Sequence, residues 1–253
     1  MATHSRIEWT ELTWNPTVGC TKISPGCKFC YAETMALRLR AMGVPAYKNG
    51  FQLKLVPERL PEPERRRKPT LYFVNSMSDL FHREVPDDFL EKVFEVISKT
   101  RRHTFQILTK RSWRMRRYFQ DREVPPNAWI GVSVENRAHG LPRIDHLRSV
   151  SARCRFLSIE PLLEHLGPLD LRGIHWVIGG GESGPKARPM KPKWINAVRK
   201  ECVNQSVPFF FKQWGAFGSD GVRRTKKSNG RELNGRTRDE LPLWALDSTR
   251  AGP

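Results

Sequence analysis

An α/β fold, built as a full or partial TIM-like barrel of about six β/α units, is what this sequence predicts. Three observations predict it. Short, nearly continuous apolar runs recur along the chain, the pattern of parallel strands buried on both faces. Helical stretches alternate with them. Polar residues gather where each run ends, and in a β/α barrel those ends share one rim.

Taken in order, a short strand-like segment precedes a loop holding Cys20, Cys27 and Cys30, and a helix is expected over Ala32–Met42, with Met35, Leu39 and Met42 at helical spacing. Gly43 and Pro45 stop it, and residues 44–69 are rich in Pro and Arg without clear periodicity. Leu71–Val74 reads as a strand ending in Asn75, Ser76 and Asp79. The helix after Pro86 carries Phe89, Leu90, Val93, Phe94 and Ile97 on one face, with Asp87 and Asp88 placed for its first turn. Further strands are expected at Phe105–Leu108, Trp129–Val134, Arg155–Ile159, Ile174–Ile178 and Val207–Phe211. They end respectively at Lys110, Glu135, Glu160, Glu182 and Lys212. A helix with Ile195, Val198 and Cys202 in phase precedes the last. From about Gly215 the pattern dissolves into Gly, Arg, Lys, Ser and Asn. The expected division is a barrel over 1–214 and a basic C-terminal extension, a tail or flap, over 215–253, with Leu241–Ala245 docking back.

A chain of 253 residues with 38% hydrophobic content supports a real core. No apolar run reaches membrane-spanning length and the first residues lack a signal-peptide h-region, so a cytoplasmic protein is expected. The formal charge of +18 is concentrated at Arg65–Lys68, Lys110–Arg117 and Arg223–Lys227. Such a field attracts polyanions, so a nucleic acid or nucleotide partner is expected ahead of mere solubility.

Five cysteines, three of them spaced C-x6-C-x2-C, point to metal ligation instead of a disulfide framework. Pro25 and Gly26 bend the backbone just before Cys27. Three thiols with no obvious fourth ligand suggest an iron–sulfur cluster with one iron open to a small molecule. A structural zinc would need a fourth protein donor; His4, His82 and His103 are candidates, none at finger-like spacing. Cys202 reads as core, and neither it nor Cys154 is given a role. Gly179-x-Gly181-x-x-Gly184 matches a dinucleotide fingerprint on paper, but Pro185 and Pro189 deny it a helix. It reads better as a strand end open to a ligand, with Glu182 as a polar contact. Glu135, Glu160 and Glu182 have three readings: a carboxylate set for acid/base work or a divalent metal, contacts to a bound nucleoside, or pairing with the many Arg and Lys. Lys110 could bind a carboxylate or phosphate, or belong to the basic face.

Cys27-Lys-Phe-Cys30-Tyr31 resembles half of the radical S-adenosylmethionine (SAM) signature, although six residues separate Cys20 from Cys27 where that signature has three. Trp14–Cys20, Cys30–Glu33, Ile178–Pro185 and Phe211–Gly215 together resemble the phage-associated three-cysteine-motif family, a radical SAM-like branch, over about Trp9–Pro242. Val74–Leu80 and Ile107–Lys110 are also similar to strand ends of spore photoproduct lyase-like radical SAM enzymes. The resemblance implies a partial (β/α)6 radical SAM barrel, a [4Fe–4S] cluster on Cys20, Cys27 and Cys30, and SAM on the open iron. Backbone near Phe29 and Tyr31 would meet the adenine. Asn75, Ser76 and Asp79 would meet the methionyl amino group, and Ser133 or Glu135 the ribose. Lys110, Glu160 and Lys212 would face a substrate. The implied activity is modification or repair of nucleic acid or a nucleotide through a 5′-deoxyadenosyl radical, with flavodoxin or ferredoxin as electron donor and room for a partner protein. The competing classes are a zinc-stabilised nucleic-acid-binding protein without catalysis and a divalent-metal barrel hydrolase using the strand-end glutamates.

Overall fold

The computed structural model describes residues 7–245 and the backbone of Thr3–His4; the His4 side chain and the end of the basic extension, 246–253, lie outside the described residues. Seven parallel strands form the centre: β1 (Leu12–Trp14), β2 (Leu71–Val74), β3 (Thr104–Thr109), β4 (Ala128–Ser133), β5 (Cys154–Ile159), β6 (Trp176–Gly180) and β7 (Phe209–Gln213). They lie side by side in chain order, and Thr3–His4 adds an antiparallel edge to β1. Of the six crossovers, five carry a helix: α1 (Tyr31–Ala41), α2 (Asp87–Lys99), α3 (Ser112–Tyr118), α4 (Arg137–Arg148) and α5 (Pro192–Asn204). The crossover from β5 to β6 has none.

The sheet curls. Trp9 packs its ring 4.7 Å from Phe73 on β2 and 6.1 Å from Trp176 on β6, by centroids. In a flat sheet residues four strands apart would sit about 19 Å apart. The fold is therefore a partial TIM-like barrel, with β1 and β7 at its two ends. Its convex face is covered by the helices through Tyr72, Ile107, Ile130, Leu157, Val177 and Phe211. Inside, Trp9, Phe73, Trp129, Phe156, Trp176 and Phe210 form an aromatic plug. Gly131 makes room for Phe156, since a Cβ there would fall 2.5 Å from its ring.

α2 buries the five residues its spacing predicts. α1 corrects the sequence reading: Met35 and Met42 are exposed, and the helix packs through Ala32 and Ala36 against a small cluster holding Val18, Tyr47 and Met77. Two small side chains let it lie close, and the methionines are left outside. β6 and β7 begin two residues later than their apolar runs suggest. Ile174 is held in a turn by its N–H bond to the Leu171 carbonyl, and the strand continues through Gly179 and Gly180. Lys212 thus lies within β7 instead of beyond it.

The segment after Trp214 packs along β7. The Phe211 N–H donates to the Arg238 carbonyl (2.9 Å), Phe210 bridges Asp239, and Phe209 N–H donates to Glu240 Oε2 (3.0 Å). Leu233 is buried in the main core. Leu241 and Ala245 dock on the aromatic plug, and the Trp244 ring meets His175 at 5.4 Å. Among the described residues, no helix is long and apolar enough to cross a membrane.

Candidate metal and ligand site at the strand ends

The cysteine loop is pinned to its surroundings by backbone bonds. Gly19 N–H donates to the Met77 carbonyl and Cys20 N–H to that of Phe51, both at 3.0 Å. Gly19 has φ +79°, and a Cβ there would fall 2.0 Å from the Gln52 oxygen, so only glycine fits. Pro25–Cys27 forms a 3-10 turn, and Cys30 caps α1. Gly26 lies against Glu135, whose Cγ would be 3.0 Å from an added Cβ. Arg111 donates to the Thr21 carbonyl (3.0 Å) and hydroxyl (2.7 Å), and His82 Nε2 meets the same hydroxyl at 2.9 Å. All three cysteines are half-buried free thiols.

Beside the loop, Asn75 turns the chain with φ +58°, a conformation asparagine tolerates, and its amide brackets Thr17. Asp79 is buried, its carboxylate accepting from Thr109 Oγ1 (2.6 Å), Lys110 N–H (3.0 Å) and Phe81 N–H (3.0 Å). Lys110 Nζ donates to Ser133 Oγ (3.1 Å), and the Tyr31 hydroxyl donates to the Ser76 carbonyl (2.5 Å).

The three strand-end glutamates are each paired with a cation. Glu135, fully buried, receives both Arg143 nitrogens at 2.6 and 3.3 Å. Burial pushes its carboxyl up, but the Arg143 bonds and charge, with Lys110 and Ser24, outweigh this and hold it below the usual value. Glu160 receives Lys212 Nζ (2.8 Å) and Gln213 Nε2 (3.0 Å). Glu182 is gripped bidentately by Arg188 (2.8 and 2.6 Å), whose guanidinium sits 5.3 Å from the Phe29 ring centroid. Sequence reasoning missed Arg143, Arg188 and Gln213. Arg188 lies in a Pro-rich stretch with no period, and Arg143 is an unremarkable helix position.

Two adjoining cavities open on this rim. One, of about 140 Å³, is lined by Cys20, Cys27, Cys30, Asn75, Ser76, Asp79 and Arg111 among others. The other, of about 310 Å³, is lined by Gly26, Phe29, Glu160, Glu182, Lys212 and Gln213. Cys30, Tyr31, Lys110 and Ser133 line both. Every residue expected at the site lines one or the other except Glu135, which lies beneath the cysteine loop. Among the described residues no three His, Cys, Asp or Glu side chains converge on an ion-sized point. The donor set is three soft thiols around a shared cavity, chemistry suited to iron in a cluster. Burial and the Asp79 charge, opposed by Arg111, push the Cys20 thiol up to about 11, so ligation there displaces a proton. Cys154 and Cys202 are fully buried in the core, with thiols pushed up by burial.

Among solved structures, two single-substitution variants of spore photoproduct lyase match with TM-score 0.50 and 13% identity, covering 79% of this chain. The chain spans 63% of their length, less than two thirds. At that identity the likeness is one of fold. No curated protein matches the sequence. A family model described as "Protein of unknown function (DUF5131)" matches residues 4–242, nearly the whole chain, and the protein belongs to that family.

Proposed function

We propose that this protein is a radical SAM-type enzyme that holds a [4Fe–4S] cluster on Cys20, Cys27 and Cys30 and SAM beside it, and acts on nucleic acid or a nucleotide. The observation that carries the reading is the cavity that three thiols share with Asn75, Ser76, Asp79, Lys110 and Ser133, on the strand-end rim of a half-barrel. The fold likeness to spore photoproduct lyase, one structure of which is described with a dinucleoside spore photoproduct, agrees with the strand-end motifs that resemble its group. The phage association of the three-cysteine pattern belongs to the same proposal.

When bound, the cluster and SAM supply one-electron cleavage of the sulfonium and a hydrogen-abstracting 5′-deoxyadenosyl radical. The chain's own residues bind and shield. Asp79, fixed by three donors, would offer its remaining lone pairs to the methionyl ammonium. Ser133 would meet the ribose, and the backbone near Phe29 and Tyr31 the adenine. Lys110 gives the cavity a cation for the methionyl carboxylate or a substrate phosphate. The aromatic plug closes the barrel floor to water. Glu160 and Lys212 line the larger cavity, where the substrate sits in this reading, and Glu182 on the same cavity would be a contact to the cofactor. No side chain is assigned as acid or base. Flavodoxin or ferredoxin would deliver the electron, and the barrel mouth leaves room for a partner protein.

Anaerobic reconstitution with iron and sulfide should give a brown protein with a cluster EPR signal, releasing 5′-deoxyadenosine on addition of SAM and dithionite. Cys27→Ala should lose both. Retention of both by the variant overturns the assignment. Stoichiometric zinc in a colourless preparation, or hydrolysis in air without SAM, would replace it with one of the competing classes.

A further inference from the structure

α3 shows two faces. Ser112, Met115 and Tyr118 are buried, while Trp113, Arg116 and Arg117, with Gln120 just past the helix end, are exposed. Their spacing of three, four and seven residues puts them on one stripe. A tryptophan at the head of such a stripe normally faces the core. Here Trp113 is 61% exposed, and the Arg117 guanidinium lies 5.8 Å from its ring centroid. The four residues line a surface depression of their own. The neighbouring arginines are neutralised, Arg114 by Asp87 and Arg122 by Glu91. Among the described residues, no carboxylate pairs with Arg116 or Arg117.

We propose that this stripe is a stacking platform for single-stranded nucleic acid, with a base on Trp113 and the flanking phosphates on Arg116 and Arg117. The inference rests on the nucleic-acid part of the proposed function and makes it specific. An aromatic face beside guanidinium groups that no carboxylate neutralises, one of them already against the indole, is the pairing that a base and its phosphates complement. The net charge of +18 supplies the long-range attraction for a polyanion. A lipid surface would need several apolar side chains on the stripe, and Trp113 is alone there. A duplex hides its base faces and would leave the indole without a partner. The stripe also begins beside the site: Lys110, three residues before Trp113, lines both cavities, and Arg111 is bonded to the cysteine loop. A strand stacked on Trp113 is thereby held at the start of α3, three residues along the chain from a lysine that lines both cavities.

The test is fluorescence anisotropy with the full chain, a labelled 12-nucleotide oligodeoxythymidylate and a labelled hairpin duplex, over a salt series. Trp113→Ala should weaken single-strand binding about tenfold and leave duplex binding unchanged, with Trp113→Phe retaining most of the affinity. The Arg116→Gln, Arg117→Gln double variant should reduce the slope of log K against log salt by about 1.4. Unaltered single-strand binding by Trp113→Ala, or equal weakening of both probes, overturns the platform. So does failure of the wild type to bind the oligonucleotide. None of these readouts depends on a cluster, so the platform can fail while the cofactor assignment stands, and the reverse. Thermal melting confirms that each variant is folded.

Discussion

Replacing Arg143 by Met should destabilise this protein more than any surface change, and in a pH-dependent way. Glu135 is fully buried and Arg143 nearly so, joined by two hydrogen bonds. Removing one partner of a buried pair costs about 3–5 kcal/mol, because the other charge is left without compensation. For a chain of this size that lowers Tm by roughly 6–20 °C. The sign with pH follows from Glu135. In the wild type its carboxyl is held below 4.5, so the pair contributes stability above that pH and loses it as pH falls through the folded value. In the variant burial dominates and raises the folded value, so the penalty is greatest at neutral pH and above and fades toward pH ~4.5. Urea unfolding at pH 5 and pH 8, followed by tryptophan fluorescence, should show the larger loss at pH 8. Glu135→Gln combined with Arg143→Met should recover most of it. A loss below about 1 kcal/mol, or one equal at both pH values, refutes the reasoning.

Gly26→Ala would set a Cβ 3.0 Å from a glutamate that Arg143 holds still, so the cysteine loop must lift. Iron uptake on reconstitution should fall while the melting temperature changes little. Gly181→Ala meets the Trp214 carbonyl at 2.0 Å, backbone against backbone, and should cost at least about 1–3 kcal/mol by thermal melting. His82, His103 and His175 are all held below 6.5, first by burial, so their neutral forms belong to the fold. The unfolded chain binds the extra protons, so stability should decline as pH drops below about 6.5, and a flat Tm profile from pH 7 to 5 would contradict this.

The strands were legible because burial on both faces leaves a run of apolar residues that no other element produces at that length. α2 was legible for the matching reason, a one-sided apolar stripe. α1 was not, because its contact face is made of alanines, which carry no hydrophobic signal beside Met35 and Met42. The rim was legible as positions, since Asn75, Lys110, Glu135, Glu160 and Glu182 each come within two residues of a strand end, although Lys212 lies inside β7. Their partners were not. That Glu135 is held by Arg143 and Glu182 by Arg188 depends on how a helix and a Pro-rich loop fold back, and in a sequence this rich in arginine no pairing stands out.

A barrel that stops short of closure has a practical weakness, and the basic segment after Trp214 answers it. Without Arg238, Asp239 and Glu240 along β7, the last strand would present a row of free amide and carbonyl groups to any extended peptide, including another copy of itself. Thr3–His4 shields the opposite margin in the same manner. The strip along β7 carries one cation and two anions, so it seals its margin by occupying the Phe209 and Phe211 amides and not by charge, and those two donors are withheld from any extended chain that meets the sheet there.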